Sequence, residues 1–142
     1  APGFEKNSKK FITTIKKILK NKDPNKFKFT ESLGFKNYFS MLNKSKFVIG
    51  NSSSGIIEVP YFKIPTINIG DRQEGRYMHQ SIIPCDYKFE NIVNAIKKCE
   101  SKKFINKIQT MKLSFGNGNT SSKIVKVLEK KLLNEKLLIK KI

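Results

Sequence analysis

The run Phe47–Arg76, FVIGNSSSGIIEVPYFKIPTINIGDRQEGR, narrows the folds open to this chain more than any other stretch. Phe47-Val48-Ile49 is too short for a helix and β-branched enough for a buried strand. Gly50-Asn51-Ser52-Ser53-Ser54-Gly55 reads as a tight turn of small, hydroxyl-bearing residues. Ile56-Ile57-Glu58 starts a helix, with Pro60 tolerated in its opening turn, where no intrahelical donor is needed. Lys63-Ile64-Pro65 punctuates the chain before a second apolar strand, Thr66–Ile69. The polar loop 70–76 then holds the only two arginines of the sequence, Arg72 and Arg76. Strand, turn, helix, strand and loop make a βαβ unit. The expected fold class is therefore α/β, a Rossmann-like parallel sheet with flanking helices.

That order has a chemical consequence. In open parallel sheets, ligands sit outside the carboxyl ends of the strands. A helix starting there turns unpaired N–H groups and the positive end of its dipole toward an anion. Gly50 and Gly55 let backbone come close, and the hydroxyls of Ser52, Ser53 and Ser54 can donate to phosphate oxygens. Glu58, an acceptor-only group, suits a pair of sugar hydroxyls, and Arg72 offers the planar fork that grips a phosphate with two bonds. Together these residues read as a nucleotide site for diphosphate and ribose. The plainer alternative is a strand-to-helix turn with an N-cap serine. A P-loop is excluded, because its lysine and spacing are missing.

At these residues the sequence resembles the UDP-N-acetylglucosamine 2-epimerases, and within them the hydrolysing branch of sialic- and legionaminic-acid-type sugar synthesis. Asn51-Ser52-Ser53-Ser54-Gly55 stands where the non-hydrolysing branch usually has Asp-Ser-Gly-Gly. The resemblance runs from about Ala1 to the helix after Thr120. It implies the second half of a two-domain, GT-B-like architecture, less its first strand. It also implies that Ser52 and Ser53 contact the UDP phosphates, Glu58 the ribose hydroxyls and Arg72 the diphosphate. Gly50, Asn51, Ser54, Gly55, Gln73 and Arg76 are supporting candidates.

Composition bounds the rest. A chain of 142 residues suits one domain with a real core. No apolar run approaches a membrane span and no signal-peptide pattern opens the sequence, so the expected location is cytoplasmic, with no membrane partner. Cys85 and Cys99 form neither a metal pair nor a disulfide framework, and no metal is expected. The net charge of +18 invites a nucleic-acid reading. Its carriers, however, are almost all lysines scattered along every expected helix, without an arginine stripe or aromatic interleaving. No specific nucleic-acid partner is expected.

Asn7–Asn21 has the spacing of an amphipathic helix, with Phe11, Ile12, Ile15, Ile18 and Leu19 on one stripe. Lys26–Thr30 alternates lysine with Phe27 and Phe29, the period of a half-buried strand. Ser32 is placed to cap a helix over Phe35–Asn43 that buries Phe35, Tyr38, Phe39 and Leu42. Ser81-Ile82-Ile83 reads as a third strand ended by Pro84, and the lone His79 before it as a loop residue. Phe89–Glu100 is a helix turning Phe89, Ile92, Val93 and Ile96 inward, and Phe104, Ile105 and Ile108 mark a shorter one. The loop Phe115–Thr120 leads into a helix over Ser121–Asn134, with Ile124, Val127, Leu128 and Leu132 as its apolar side. Glu135–Ile142 is a lysine-leucine tail, frayed or helical. Ala1-Pro2-Gly3-Phe4 resembles the family's phosphate-side loop after the first strand.

The reaction implied by the resemblance begins with removal of the proton at sugar C2 of UDP-N-acetylglucosamine or a diacetamido relative. UDP leaves by elimination, and water adds to the glycal with inversion, giving an N-acetylmannosamine-type sugar. In the family the carboxylates for these steps lie mainly on the first domain, so no catalytic residue and no cofactor is expected in this chain. The UDP-sugar is then a partner shared with an N-terminal domain; family members often dimerise, and by that analogy alone the full-length enzyme has a homo-oligomer open to it, while the sequence itself sets no oligomeric state. The chain alone is expected to be inactive. Two other classes fit the same residues: the nucleotide-sugar half of a GT-B glycosyltransferase, and a basic polyanion-binding module.

Overall fold

The computed structural model describes residues 8–131, which fall into two compact units, residues 8–44 and 45–131. Ala1–Phe4, Leu132 and the tail Glu135–Ile142 lie outside the described residues.

The first unit is two helices joined by a turn. Helix α1 is Ser8–Leu19, and the hydroxyls of Thr13 and Thr14 donate back to the Lys9 and Lys10 carbonyls at 2.9 and 2.8 Å. The strand expected over Lys26–Thr30 does not form. Asp23 takes that backbone instead: its carbonyl accepts from the N–H groups of Lys26 and Phe27, and its carboxylate from Asn25. A two-residue alternation cannot make a strand without a partner ladder, and none lies beside this segment among the described residues. Phe27 is accordingly half-exposed, while the Lys16 ammonium sits 5.4 Å from the Phe29 ring centre and 3.1 Å from Glu31. Helix α2 is Gly34–Lys44, with the Ser32 hydroxyl accepting from the Gly34 N–H at 3.3 Å. Leu42 is buried, but Phe35 is 75% exposed, against the expectation that it packs inward. It meets Phe39 edge-on one turn later, with ring centres 4.4 Å apart.

The second unit adopts the expected α/β class. Strands β1 (Val48–Gly50), β2 (Thr66–Ile69) and β3 (Ile82–Cys85) form a parallel sheet in the order β1-β2-β3. Val48 pairs with Thr66, and Thr66 with Ile82. β3 runs through Pro84, where the sequence suggested it would stop. The reason is the ladder: β2 donates from Thr66 to the Ser81 carbonyl and from Gly70 to that of Cys85, so odd-numbered residues of β3 face β2. The nitrogen of Pro84 therefore faces away from β2, where no ladder donor is required of it.

Side chains alternate across the sheet. Ile67 and Ile83 point to one face and pack with Ala95, Cys99, Phe104, Ile108 and Met111. These come from α4 (Phe89–Glu100), α5 (Lys102–Gln109) and the segment after α5. The Ser101 hydroxyl caps α5 by accepting from Phe104 N–H. In α4 the innermost residues are Ala95 and Cys99; Phe89, expected inside, is 75% exposed at the first position of the helix. Helix α6 (Thr120–Lys131) carries Ile124, Val127 and Leu128, each about half exposed. Among the described residues no helix is long and apolar enough to cross a membrane.

Thr66 points to the opposite face, where α3 lies. This helix begins at Ser54, two residues earlier than expected, and ends at Ile57. Pro60 then stands in the first turn of a 3-10 helix, Val59–Phe62, so the expected single helix is two short turns in series. Lys63, at φ 55°, ends the second turn, and Ile64-Pro65 leads into β2. Gly55 makes the packing possible: a Cβ there would lie 2.8 Å from Thr66 Cγ2, while its carbonyl accepts from Thr66 Oγ1 at 2.9 Å.

Replacing Gly55 with alanine should therefore lower stability by about 1–3 kcal/mol, as overpacking does. Urea unfolding of Gly55→Ala and of Gly55→Ala/Thr66→Ser tests this: serine keeps the hydroxyl, removes Cγ2, and should recover most of the loss.

Candidate functional site

The carboxyl ends of β1 and β2 lie side by side in the sheet, so the loops that leave them are neighbours. Gly50 closes β1 at φ 154°, a conformation that an L side chain rarely takes, with nothing within 4 Å of where a Cβ would stand. The loop Asn51-Ser52-Ser53 follows and is exposed. Within it the Ser52 hydroxyl accepts from the Ser54 N–H at 3.3 Å, and Ser53 holds the N-cap position without a side-chain cap bond. Loop 70–76 leaves the end of β2. It is folded by turns in which Glu74 donates to the Asp71 carbonyl at 2.7 Å and Arg76 to that of Gln73 at 3.3 Å.

One side chain ties the two loops together. Gln73 is 3% exposed, and its amide nitrogen donates to the Asn51 carbonyl at 2.7 Å. Asn51 directly precedes Ser52, and Arg72 directly precedes Gln73. The bond thus brings the serine loop and the arginine loop to one end of the sheet. Glu58 stands at the end of α3, half-buried, where its Oε2 accepts from the Ser54 hydroxyl at 2.6 Å. Ser52, Ser53 and Arg72 are exposed, while Gly55 is buried against Thr66.

A separate open hollow of about 630 Å³ lies beside this end, at the edge formed by β2 and β3. Asn68, Asp71, Glu74, Arg76, Met78 and Tyr87 are among its walls. Of the residues singled out from the sequence, it takes in Arg76; Ser52, Ser53, Glu58 and Arg72 do not line it.

His79 is no acid–base partner for this site. It is 2% exposed, held between Tyr77 and Phe115 with ring centres 5.1 and 4.9 Å away, and both ring nitrogens lack a hydrogen-bond partner. Its carbonyl accepts from Ile82 N–H, which puts it at the amino end of β3, opposite the serine loop. Sequence read it as an ordinary loop residue; it is the buried centre of its loop. Burial, helped by the charge of Lys63, lowers its pKa from the ordinary 6.5. The thiols offer no nucleophile either. Burial and Asp86 raise the pKa of Cys85, and burial pushes Cys99 up to about 11. Among the described residues no three His, Cys, Asp or Glu side chains gather as a metal site.

A family model described as UDP-N-acetylglucosamine 2-epimerase matches residues 5–129. A GDP/UDP-N,N'-diacetylbacillosamine 2-epimerase (hydrolyzing) of Campylobacter jejuni is 47% identical over 93 residues, 63% of this chain and 24% of that protein. Polysialic acid biosynthesis protein P7 of Escherichia coli is 38% identical over 104 residues, 73% of this chain and 27% of its own length. A UDP-N-acetylglucosamine 2-epimerase of Neisseria meningitidis is 42% identical over 80 residues, 56% and 21% of the two chains. The chain thus spans about a quarter of the length of these relatives.

Two outcomes follow from the buried polar groups. Gln73→Met removes the bond to Asn51 together with the unpartnered Gln73 Oε1, so global stability should change by less than about 1 kcal/mol. Amide exchange in residues 51–54 should nevertheless quicken about tenfold, read by hydrogen-exchange mass spectrometry. Burial and the charge of Lys63 favour the neutral form of His79 in the folded protein. Since its folded pKa lies below 6.5, the folded protein binds fewer protons than the unfolded chain just below that value. Its contribution is full above pH 6.5 and is lost as pH falls beneath it. Thermal midpoints should drop between pH 7.5 and 5, and His79→Phe should flatten the curve, since this is the only histidine.

Proposed function

The chain belongs to the UDP-N-acetylglucosamine 2-epimerase family, and we propose that it supplies the UDP grip of a hydrolysing member. Ser52 and Ser53 donate to the diphosphate, Arg72 clamps it with its planar fork, and Glu58 accepts from the ribose hydroxyls. The observation that carries this reading is the 2.7 Å bond from Gln73 to Asn51, because it joins the serine and arginine loops where nucleotides bind in open sheets. The hydrolysing assignment is supported by the Asn51–Gly55 sequence and by the similarity to the hydrolysing epimerase of Campylobacter.

The proposed substrate is UDP-N-acetylglucosamine or a diacetamido relative. The base that takes the C2 proton and the acid that protonates the glycal belong to the three quarters of such a protein that this chain does not span. What these residues contribute is the leaving group. A guanidinium and hydroxyls held against the diphosphate stabilise the charge that grows on it as the bond to the sugar breaks. Water then adds to the glycal, and UDP and an N-acetylmannosamine-type sugar are released in the cytoplasm.

Polar contacts of this kind are worth ~1 kcal/mol each, or ~1.5–3 when charged, while association costs at least ~4 kcal/mol. The 142-residue chain should therefore bind UDP near ~1 mM, with no turnover of UDP-N-acetylglucosamine. Titration followed by NMR tests this: Arg72→Ala and Glu58→Gln should each weaken UDP about tenfold, as loss of a charged hydrogen bond does. Unsaturable UDP binding, or an Arg72→Ala protein that binds like the wild type, overturns the reading. Polyanion binding that UDP does not compete for would favour a basic binding module.

A further inference from the structure

We propose that Ser54 is the positioning residue for the Glu58 carboxylate and so sets how the site reads ribose; the inference rests on the ribose role proposed above. Ser54 opens α3 and Glu58 follows four residues later, so both side chains stand on the same side of the turn. The Ser54 hydroxyl donates to Glu58 Oε2 at 2.6 Å, a short bond for a hydroxyl donor. The backbone repeats the link, since Glu58 N–H donates to the Ser54 carbonyl at 2.9 Å. Both residues are half-buried, which shields the pair from water.

A glutamate on a short helix has three free torsions to fix before it can meet two hydroxyls at once. In this proposal Ser54 restricts them in advance by holding Oε2. The other serines stand differently: Ser53 makes no cap bond, and Ser52 accepts from the Ser54 N–H. Of the three, Ser54 is the one whose hydroxyl reaches the acid. The serine loop thus divides its work, Ser52 and Ser53 toward the diphosphate and Ser54 toward the ribose.

The test is NMR titration of the 142-residue chain with UDP, 2′,3′-dideoxy-UDP and inorganic pyrophosphate, with thermal midpoints recorded for each variant. Wild type should prefer UDP to the dideoxy analogue. Ser54→Ala should weaken UDP about three- to tenfold, the span of one hydrogen bond, and leave the analogue and pyrophosphate unchanged. Ser54→Thr, which keeps the donor, should restore the preference, and Ser54→Ala should add nothing in a Glu58→Gln background. A wild type that does not distinguish the two nucleotides overturns the ribose role of Glu58 itself. A wild type that does, matched by Ser54→Ala with the same preference or with equal loss of pyrophosphate, overturns the positioning role alone.

Discussion

Two parallel strands need a crossover, and the one from β1 to β2 is built by pressing a single helical turn directly onto the second strand. Gly55 permits this because it has no Cβ to meet Thr66 Cγ2, and the Thr66 hydroxyl locks the approach by bonding the Gly55 carbonyl. The rest of that end of the sheet follows. A turn so close to β2 sends the chain from Gly50 over the strand ends before it descends. That route leaves the Asn51 carbonyl within reach of Gln73, on the loop leaving β2. The same packing stands Glu58 one turn behind the serines, where Ser54 can hold it. A looser crossover would keep the sheet and lose the register between the two loops.

The opposite end of the sheet is finished differently. There Lys63 sends its ammonium to the Met111 carbonyl at 2.6 Å, Tyr61 bonds the Gly116 carbonyl, and Tyr77 accepts from Ser114 at 2.8 Å. His79 is sealed among these groups with both nitrogens unpartnered. An imidazole kept this way gives up hydrogen bonds for packing, which suits a structural plug and defeats proton transfer. At the carboxyl ends of the strands, by contrast, Ser52, Ser53 and Arg72 are exposed above the buried Gln73.

Much of this was legible in the residues. Thr66–Ile69 and Phe89–Glu100 have the bounds expected, because a β-branched run between punctuation and a helical stripe each carry their own local signal. What failed depended on partners that local patterns do not name. Lys26–Thr30 had the period of a strand, yet Asp23 captured its N–H groups and no ladder lay beside it. Phe35 and Phe89 stand at the openings of their helices, where a correct stripe is no guarantee of a neighbour to cover it. Pro84 reads as a terminator unless one knows that its nitrogen faces the outer edge. The strut made by Gln73 had no signature at all: its partner is 22 positions away, and nothing in Asp-Arg-Gln says which side chain turns inward.

If the proposed UDP grip holds, the exposure of its groups says what kind of affinity the site would have. Ser52, Ser53 and Arg72 face water, where solvent competes for each bond they make. Gln73, Gly55 and Thr66, which hold those groups in register, are buried. Rigid support beneath solvated ligands gives selectivity for shape, a diphosphate beside a ribose, without the binding energy of a closed pocket. Strength must come from whatever covers the nucleotide and removes that water. In a reaction where UDP is the leaving group this division is useful. Exposed ligands on a rigid support would hold the departing diphosphate in place while the sugar reacts.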